Sequence, residues 1–131
     1  MTTIDVAVAV MFNARGEVLT SWRKPQQHQG GLWEFPGGKR EPDESRFEAL
    51  RRELSEELGV RVTQAEPFVR VDHDYGDKLV CLDVWLVSAY SGMPMGREGQ
   101  PLRWQSVSDL AVAEFPAANA PIIDALKRLP D

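Results

Sequence analysis

The sequence predicts an α+β fold in which α-helices pack on a mixed β-sheet. Three observations favour this class: apolar residues that alternate near the start of the chain, one amphipathic helix with clear caps, and strands and helices without regular βαβ alternation. At 131 residues, with 43% hydrophobic and 27% charged residues, the chain is expected to form one globular domain over 1–131.

The first part of the chain is predicted to form a β-hairpin. Over 4–12 the even positions are large and apolar, whereas Ala7 and Ala9 are small, and this period of two indicates a strand. The small face is a candidate pocket floor. Turn residues occupy 13–16, and 17–22 is the predicted partner strand.

One helix is predicted from Arg46 to Leu58. Ser45 and Glu48 have the spacing of a capping box, and Gly59 can adopt the left-handed conformation that ends many helices. The predicted buried stripe of this helix consists of Phe47, Leu50, Leu54 and Leu58. The glutamates of the helix are therefore expected to lie at the edge of the core.

The second half of the chain is predicted to contain two longer strands, over 69–75 and 79–89, joined by a turn at Gly76 and Asp77. Glycine and proline residues make 91–101 a predicted loop, which carries Glu98. A short strand around 102–105 and an amphipathic helix over about 120–129 are predicted to follow.

Composition excludes several classes of function. A net charge of −5 argues against binding of polymeric nucleic acid, which depends on Lys and Arg to neutralise phosphates. The apolar run at the start of the chain is too short to span a bilayer and has no basic leader, so no membrane association and a cytoplasmic location are expected. The single cysteine, Cys81, excludes an intramolecular disulfide framework.

Acidic residues are concentrated on and just before the predicted helix. Within 17 positions lie Glu41, Asp43, Glu44, Glu48, Glu53, Glu56 and Glu57. Glu53 precedes Glu56 and Glu57 by three and four positions, where each pair of like charges costs roughly 0.2–0.5 kcal/mol. This cluster predicts bound divalent cations, since Mg²⁺, or Mn²⁺ in its place, prefers oxygen ligands. The alternative is a solvated acidic helix face balanced by neighbouring arginines.

The chain resembles the Nudix hydrolases. Gly38, Glu44 and the segment from Arg52 to Val60 match every fixed position of the family signature G-x5-E-x7-R-E-U-x-E-E-x-G-U, in which U is a bulky aliphatic residue. This resemblance implies the Nudix fold, a mixed β-sheet sandwiched between α-helices, and hydrolysis of a nucleoside diphosphate linked to another group.

Three further stretches resemble the MutT-like branch of that family, namely LWEFPGGK at 32–39, GREGQPLRW at 96–104 and EFPAANAPIIDALKRL at 114–129. The implied activity is hydrolysis of 8-oxo-dGTP to 8-oxo-dGMP and pyrophosphate by a monomer. The phrase GLWEFPGGK followed by EPDES also resembles Nudix enzymes that hydrolyse CTP or modified dCTP, which is the alternative substrate class. A non-catalytic nucleotide-binding module is a further alternative, although no signature acid is missing.

The resemblance implies roles for the acidic residues and their neighbours. The expected metal ligands are Gly37, Glu53, Glu56, Glu57 and Glu98, and the expected catalytic residues are Arg52, Glu53, Glu56 and Glu57. Glu53 is also the candidate that orients or deprotonates water. Arg52 is expected to pair with one of these carboxylates and to fix its rotamer. For Glu98 the alternative is an exposed loop acid without a ligand.

The resemblance also implies a nucleotide pocket. The expected substrate-binding residues are Arg23, Phe35, Gly37, Gly38, Lys39, Tyr75, Lys78 and Asn119. Gly37 and Gly38 allow the backbone to approach phosphate closely, with Lys39 as an electrostatic aid. Asn119 is expected to read the base, but it is followed by Ala-Pro and could equally be the N-cap of the last helix. Both roles for Asn119 remain open at this point.

Overall fold

The computed structural model describes residues 2–23 and 30–130. The elements are β1 (Thr2–Met11), β2 (Val18–Trp22), β3 (Trp33–Glu34), β4 (Gly37–Lys39), α1 (Arg46–Leu58), β5 (Arg61–Asp74), β6 (Lys78–Ser91), β7 (Leu102–Gln105) and α2 (Ala120–Lys127). Short 3₁₀ turns at Val107–Asp109, Val112–Glu114 and Ala117–Asn119 connect β7 to α2. The arrangement confirms the predicted α+β class.

The strands of the described residues form two sheets. One has the order β4-β1-β6-β5 and the other the order β3-β2-β7. β1 runs parallel to β6, from Thr2 beside Lys78 to Met11 beside Val87, and antiparallel to β4. The larger sheet is therefore mixed, as predicted.

The predicted hairpin between β1 and β2 is wrong. Phe12 and Val18 make a single antiparallel bridge, after which the two strands diverge. β1 joins the larger sheet, whereas β2 pairs with β3 and β7. The turn chemistry of 13–16 reverses the chain but does not determine which strands pair, because β1 gains a ten-residue ladder with β6.

The two faces of β1 contribute to two different cores. Ala7 and Ala9 lie in the buried cluster that also contains Leu50 and Leu54 of α1, so the small face is covered by a helix and is not a pocket floor. Small side chains suit this position because they let the helix pack closely on the sheet. The opposite face packs against the cluster that contains α2, and there Val8 is part of the core.

Helix α1 begins and ends where the sequence predicted. The Ser45 side chain accepts a hydrogen bond from the main-chain N–H of Glu48, the Glu48 carboxylate accepts one from the main-chain N–H of Ser45, and Gly59 has a φ of 71°. Leu50, Leu54 and Leu58 are fully buried. Within 2–23 and 30–130, neither helix is long and apolar enough to cross a membrane.

Candidate active site

Strand β4 brings the backbone of Gly37 and Gly38 against the acidic face of α1. The main-chain N–H of Gly37 donates a hydrogen bond to Oε2 of Glu57 at 2.9 Å. A Cβ atom at Gly37 would collide with the carbonyl oxygen of Ala7, and one at Gly38 would collide with the carboxylate of Glu53. Gly37 therefore allows β4 to lie close to β1, and Gly38 leaves room for the Glu53 carboxylate in the position it occupies.

Arg52 connects the carboxylates on this side of α1. Its guanidinium donates to both oxygens of Glu44, at 2.6 and 2.9 Å, and to Oε1 of Glu53 at 2.9 Å. A longer hydrogen bond, of 3.3 Å, joins Nη1 of Arg52 to Oε2 of Glu56. Nη2 of Arg52 also donates to the carbonyl oxygen of Lys39 at 2.9 Å. These hydrogen bonds from Arg52 lower the pKa of Glu44 to about 2. Arg52 thereby holds the loop after β4 against the helix.

Burial makes the charged form of the inner carboxylates unfavourable. Burial, together with the charges of Glu53 and Glu34, raises the pKa of Glu57 to about 8, although the hydrogen bond from the main chain of Gly37 opposes this shift. The charge of Glu98 acts on the pKa of Glu57 in the same direction. Burial also raises the pKa of Glu53, against the effect of the neighbouring Arg52. A cation among these groups would stabilise their ionised forms.

This donor set fits a hard divalent cation by its chemistry, because every side-chain donor is a carboxylate oxygen and the group carries excess negative charge. Among residues 2–23 and 30–130, no three His, Cys, Asp or Glu side chains are already gathered in the arrangement of an ion site. Instead, Glu53 and Glu56 bind Arg52, and Glu57 binds the N–H of Gly37. The ligand set inferred from the sequence therefore stays a prediction.

Glu98 approaches the acidic face of α1 through the loop between β6 and β7. The main-chain N–H groups of Met95 and Arg97 donate to the carbonyl oxygens of Leu58 and Glu57, each at 3.0 Å. Glu98 itself is exposed to solvent. The loop thus packs on the C-terminal end of α1 and places an acidic side chain within electrostatic range of Glu57.

Two adjoining cavities of about 380 and 260 Å³ lie beside the carboxylates. Both are lined by Val6, Arg23, Glu34, Lys39, Leu82 and Asn119. The larger is also lined by Tyr75 and Lys78, and the smaller by Phe35, Gly37, Gly38 and Glu57. Every predicted substrate-binding residue therefore lines one continuous cleft, whereas Glu53, Glu56 and Glu98 are not among its lining residues.

The side chain of Asn119 does not cap α2. Asn119 occupies the N-cap position with φ and ψ of −86° and −13°, and its side chain makes no capping hydrogen bond in the described part of the chain. The same residue lines both cavities of the cleft. The amide oxygen of Asn119 is therefore not occupied by a capping hydrogen bond from α2.

The rim of the cleft is formed by the turn between β5 and β6. Nζ of Lys78 lies 5.8 Å from the ring centroid of Tyr75. The ring centroids of His73 and Tyr75 are 4.4 Å apart, and the two rings are arranged edge to face. The main-chain N–H of Tyr75 donates to the carbonyl oxygen of Lys78 at 2.9 Å, which closes the turn. One aromatic and one cationic side chain are thus presented together at the mouth of the cleft.

Glu34 was not singled out from the sequence, although it lines both cavities. Its Oε2 accepts a hydrogen bond from Nη1 of Arg23 at 2.9 Å. Burial raises the pKa of Glu34, and the hydrogen bond from Arg23 opposes this. The sequence did contain a signal for Glu34, because it is a charged residue between Trp33 and Phe35 in a segment whose other residues are apolar.

A larger cavity, of about 850 Å³, lies near the opposite end of β1. Phe12, Arg15, Ser106 and Lys127 are among its lining residues. None of the predicted site residues lines it. Because it contains no carboxylate cluster and no approach to Gly37, the smaller cleft is the candidate active site.

Comparison with known proteins identifies the family of this chain. A family model described as NUDIX domain matches residues 7–125. The chain belongs to the Nudix family. It is a Nudix hydrolase, as its signature predicted, and the Nudix fold is confirmed.

Relatives of this Nudix hydrolase carry two different names. It is 37% identical over 129 residues to the 8-oxo-dGTP diphosphatase of Escherichia coli K12, covering 98% of this chain and 100% of that protein. It is 36% identical over 129 residues to the CTP pyrophosphohydrolase of the same organism, covering 98% of this chain and 95% of that protein. A solved structure from a study of MutT from Aliivibrio salmonicida and Vibrio cholerae matches this chain with a TM-score of 0.85 and 38% identity. The match covers 98% of this chain and 100% of that chain.

Proposed function

We propose that this Nudix hydrolase is a nucleoside triphosphate pyrophosphohydrolase that converts 8-oxo-dGTP to 8-oxo-dGMP and pyrophosphate. Its role would be to remove an oxidised, mispairing nucleotide before DNA synthesis uses it. Similarity to 8-oxo-dGTP diphosphatase over 98% of the chain supports this substrate. The cleft supports it too, because a charged, glycine-lined part adjoins a part with apolar and aromatic walls.

The observation that carries the proposal is the position of Asn119, which lines both cavities and does not cap α2. Oxidation at C8 turns N7 of guanine from a hydrogen-bond acceptor into an N–H donor. The amide of Asn119 offers one acceptor oxygen and an NH₂ donor, so its oxygen can accept from that new N–H. Unmodified guanine presents acceptors at both N7 and O6, so the amide oxygen of Asn119 would be left unpaired in a partly buried site, and sites built in this way discriminate strongly between similar ligands.

Nudix hydrolases generally use divalent metals such as Mg²⁺. We propose Mg²⁺ as the cofactor here, with Mn²⁺ able to replace it, held by the carboxylates of Glu53, Glu56, Glu57 and Glu98 and by the main chain of Gly37. Once bound, such an ion would neutralise charge on the phosphates and lower the pKa of the attacking water. Burial of Glu57 and Glu53 supports this assignment, because it disfavours their ionised forms in the protein alone and a bound cation would stabilise them.

The chain's own residues would orient the reaction. Glu53 is proposed to orient water or to accept its proton, since Arg52 holds its carboxylate at 2.9 Å and Gly38 leaves room for it beside β4. Lys39 would draw the phosphates towards the glycines. Attack at the β-phosphorus would release pyrophosphate, so hydrolysis in ¹⁸O-labelled water would place the label in pyrophosphate and not in 8-oxo-dGMP.

Steady-state kinetics with a panel of nucleoside triphosphates tests the substrate. We expect kcat/KM for 8-oxo-dGTP to exceed that for dGTP by roughly 10⁴-fold, the discrimination typical of a site that hydrogen-bonds an N–H group which the competing ligand lacks. Asn119→Ala should remove most of this difference. Arg15→Ala, in the larger cavity, is the control and should leave it unchanged. Comparable kcat/KM values for dGTP and 8-oxo-dGTP in the wild type would overturn the proposal.

A second candidate is hydrolysis of CTP or a modified dCTP, which the 36% identity to CTP pyrophosphohydrolase favours. The two activities would use the same carboxylates and would differ in the base-binding part of the cleft. The same panel separates them. A higher kcat/KM for a pyrimidine triphosphate, unaffected by Asn119→Ala, would replace the first proposal with the second.

A further inference from the structure

The loop over 92–100 provides the C-terminal hydrogen-bond partners of α1. The last carbonyl groups of a helix have no partner within the helix itself. Here the carbonyl oxygen of Leu58 accepts from the N–H of Met95, and that of Glu57 accepts from the N–H of Arg97, each at 3.0 Å. The loop is therefore attached to the helix turn that carries Glu57.

The side chain of Gln100 adds a second link between this loop and α1. Its Oε1 accepts a hydrogen bond from the main-chain N–H of Glu98 at 2.9 Å. Its Nε2 donates to the main-chain carbonyl oxygen of Glu57 at 3.2 Å. The amide group of Gln100 thus connects the backbone of Glu98 in the loop to the backbone of Glu57 in α1.

The primary amide of Gln100 makes both contacts because it carries a donor and an acceptor. The N–H of Glu98 requires an acceptor and the carbonyl of Glu57 requires a donor, so the orientation of the Gln100 amide is determined by its partners. An ionised glutamate at this position would accept from Glu98 but could not donate to Glu57. A methionine would have a similar length and could do neither.

The surrounding backbone leaves little freedom for another arrangement. A Cβ atom at Gly96 would collide with the carbonyl oxygen of Gln100, so the loop closes tightly around the amide. The carbonyl oxygen of Pro101, the next residue, accepts from the N–H of Trp22 at 3.0 Å, which attaches the end of the loop to β2. Gln100 is half-buried, whereas Glu98 is exposed. The exposed acid therefore depends on the loop for its position.

We propose that Gln100 is a positioning residue, which fixes the backbone of Glu98 relative to Glu57 and so presents the Glu98 carboxylate to the divalent cation. This inference rests on the proposed function, because it assumes that Glu98 binds that cation. It assigns Gln100 to cation affinity and not to base selection, since the amide contacts neither Asn119 nor the cleft.

Binding of Mn²⁺ to the nucleotide-free protein, followed by the electron paramagnetic resonance signal of free Mn²⁺, tests this role. We expect Gln100→Met to raise the Kd for Mn²⁺ about 10-fold or more, the effect typical of residues that orient metal ligands. Higher Mg²⁺ concentrations should restore kcat, and the kcat/KM ratio of 8-oxo-dGTP to dGTP should stay at the wild-type value. Gln64→Met, at an exposed glutamine of β5, is the matched control.

A double variant shows whether Gln100 acts through Glu98. Glu98→Gln should weaken Mn²⁺ binding, and Glu98→Gln combined with Gln100→Met should weaken it no further. Hydrogen exchange gives an independent measurement, in which the amide hydrogen of Glu98 should exchange faster in Gln100→Met but remain protected in Gln100→Glu, which keeps the acceptor. This second variant keeps the test decisive if Gln100→Met folds poorly.

The outcomes separate this inference from the proposed function. Wild-type protein that binds no Mn²⁺ would overturn the proposed function. Wild-type protein that binds Mn²⁺ with the same Kd as Gln100→Met would overturn only the role of Gln100. An additive loss in the double variant would overturn it as well, because Gln100 would then act independently of Glu98.

Discussion

The carboxylate of Glu57 accepts a hydrogen bond from the main-chain N–H of Gly37 at 2.9 Å, while its own main-chain carbonyl accepts from Arg97 and Gln100. One residue of α1 thus binds both β4 and the loop before β7. These segments are separated by about sixty residues in the sequence, and their convergence forms the acidic side of the cleft.

Replacement of Gly37 should destabilise the protein more than replacement of a glycine in an open turn. Gly37→Ala places a Cβ atom against the carbonyl oxygen of Ala7, at a φ of 155°. We expect a loss of about 3 kcal/mol or more in the free energy of unfolding, measured by denaturant titration. Gly16→Ala, with a φ of 75° and open space around it, should cost about 1–2 kcal/mol. Equal losses would contradict the close contact of β4 with β1.

The planar guanidinium of Arg52 should not be replaceable by lysine. Arg52→Lys retains the charge but cannot bind both oxygens of Glu44 while also reaching Glu53. We expect turnover to fall roughly 10–100-fold, as measured by pyrophosphate release at fixed Mg²⁺. Arg51→Lys, one position away, should retain near-wild-type activity. If both variants were equally active, charge alone would suffice and the bidentate contact would be dispensable.

Glu53→Gln separates catalysis from stability. The amide can still accept a hydrogen bond from Arg52, and it removes a carboxylate whose pKa is raised by burial. We expect turnover to fall about 10³-fold, with an unfolding temperature equal to or above that of the wild type. Glu66→Gln, at an exposed position of β5, is the control. Undiminished turnover would remove Glu53 from the mechanism.

The capping box of α1 should make stability depend on pH in the acid range. Hydrogen bonds from Ser45 hold the pKa of Glu48 below its ordinary value of 4.5. Ionised Glu48 therefore stabilises the folded state above its unfolded-state pKa, and this contribution is lost as the pH falls through the lower folded-state pKa. Thermal unfolding should show Glu48→Gln less stable than the wild type at pH 7, with the difference fading below about pH 4.5. A difference that grew on acidification would contradict this assignment.

The residues of the candidate site were largely predictable from the sequence, whereas their contacts were not. The bounds and caps of α1 followed from Ser45, Glu48 and Gly59, because these signals act within a few residues of the chain. Strand β4 was not predicted, since consecutive glycines such as Gly37 and Gly38 do not favour a strand. Its pairing depends on Ala7 and Val8 of β1, about thirty residues earlier.

Asn119 shows the same division in the base-binding part of the cleft. The sequence left two roles for its side chain, and in the structure Asn119 ends the 3₁₀ turn Ala117–Asn119 and its side chain makes no capping hydrogen bond to α2. Glu34 gained its significance only when β3 placed it beside Arg23 and both cavities. Residue type alone distinguished neither case.

The sequence by itself determined α1, the spacing of its acidic residues and the family signature. The reason is that the caps act locally and the helical period of about 3.6 residues fixes which side chains share a face of the helix. Only the tertiary structure decided that β2 leaves its hairpin, that Gly37 meets Glu57 and that Gln100 joins Glu98 to α1. The physical reason is that these contacts join segments distant in the chain, and their geometry depends on how both cores pack.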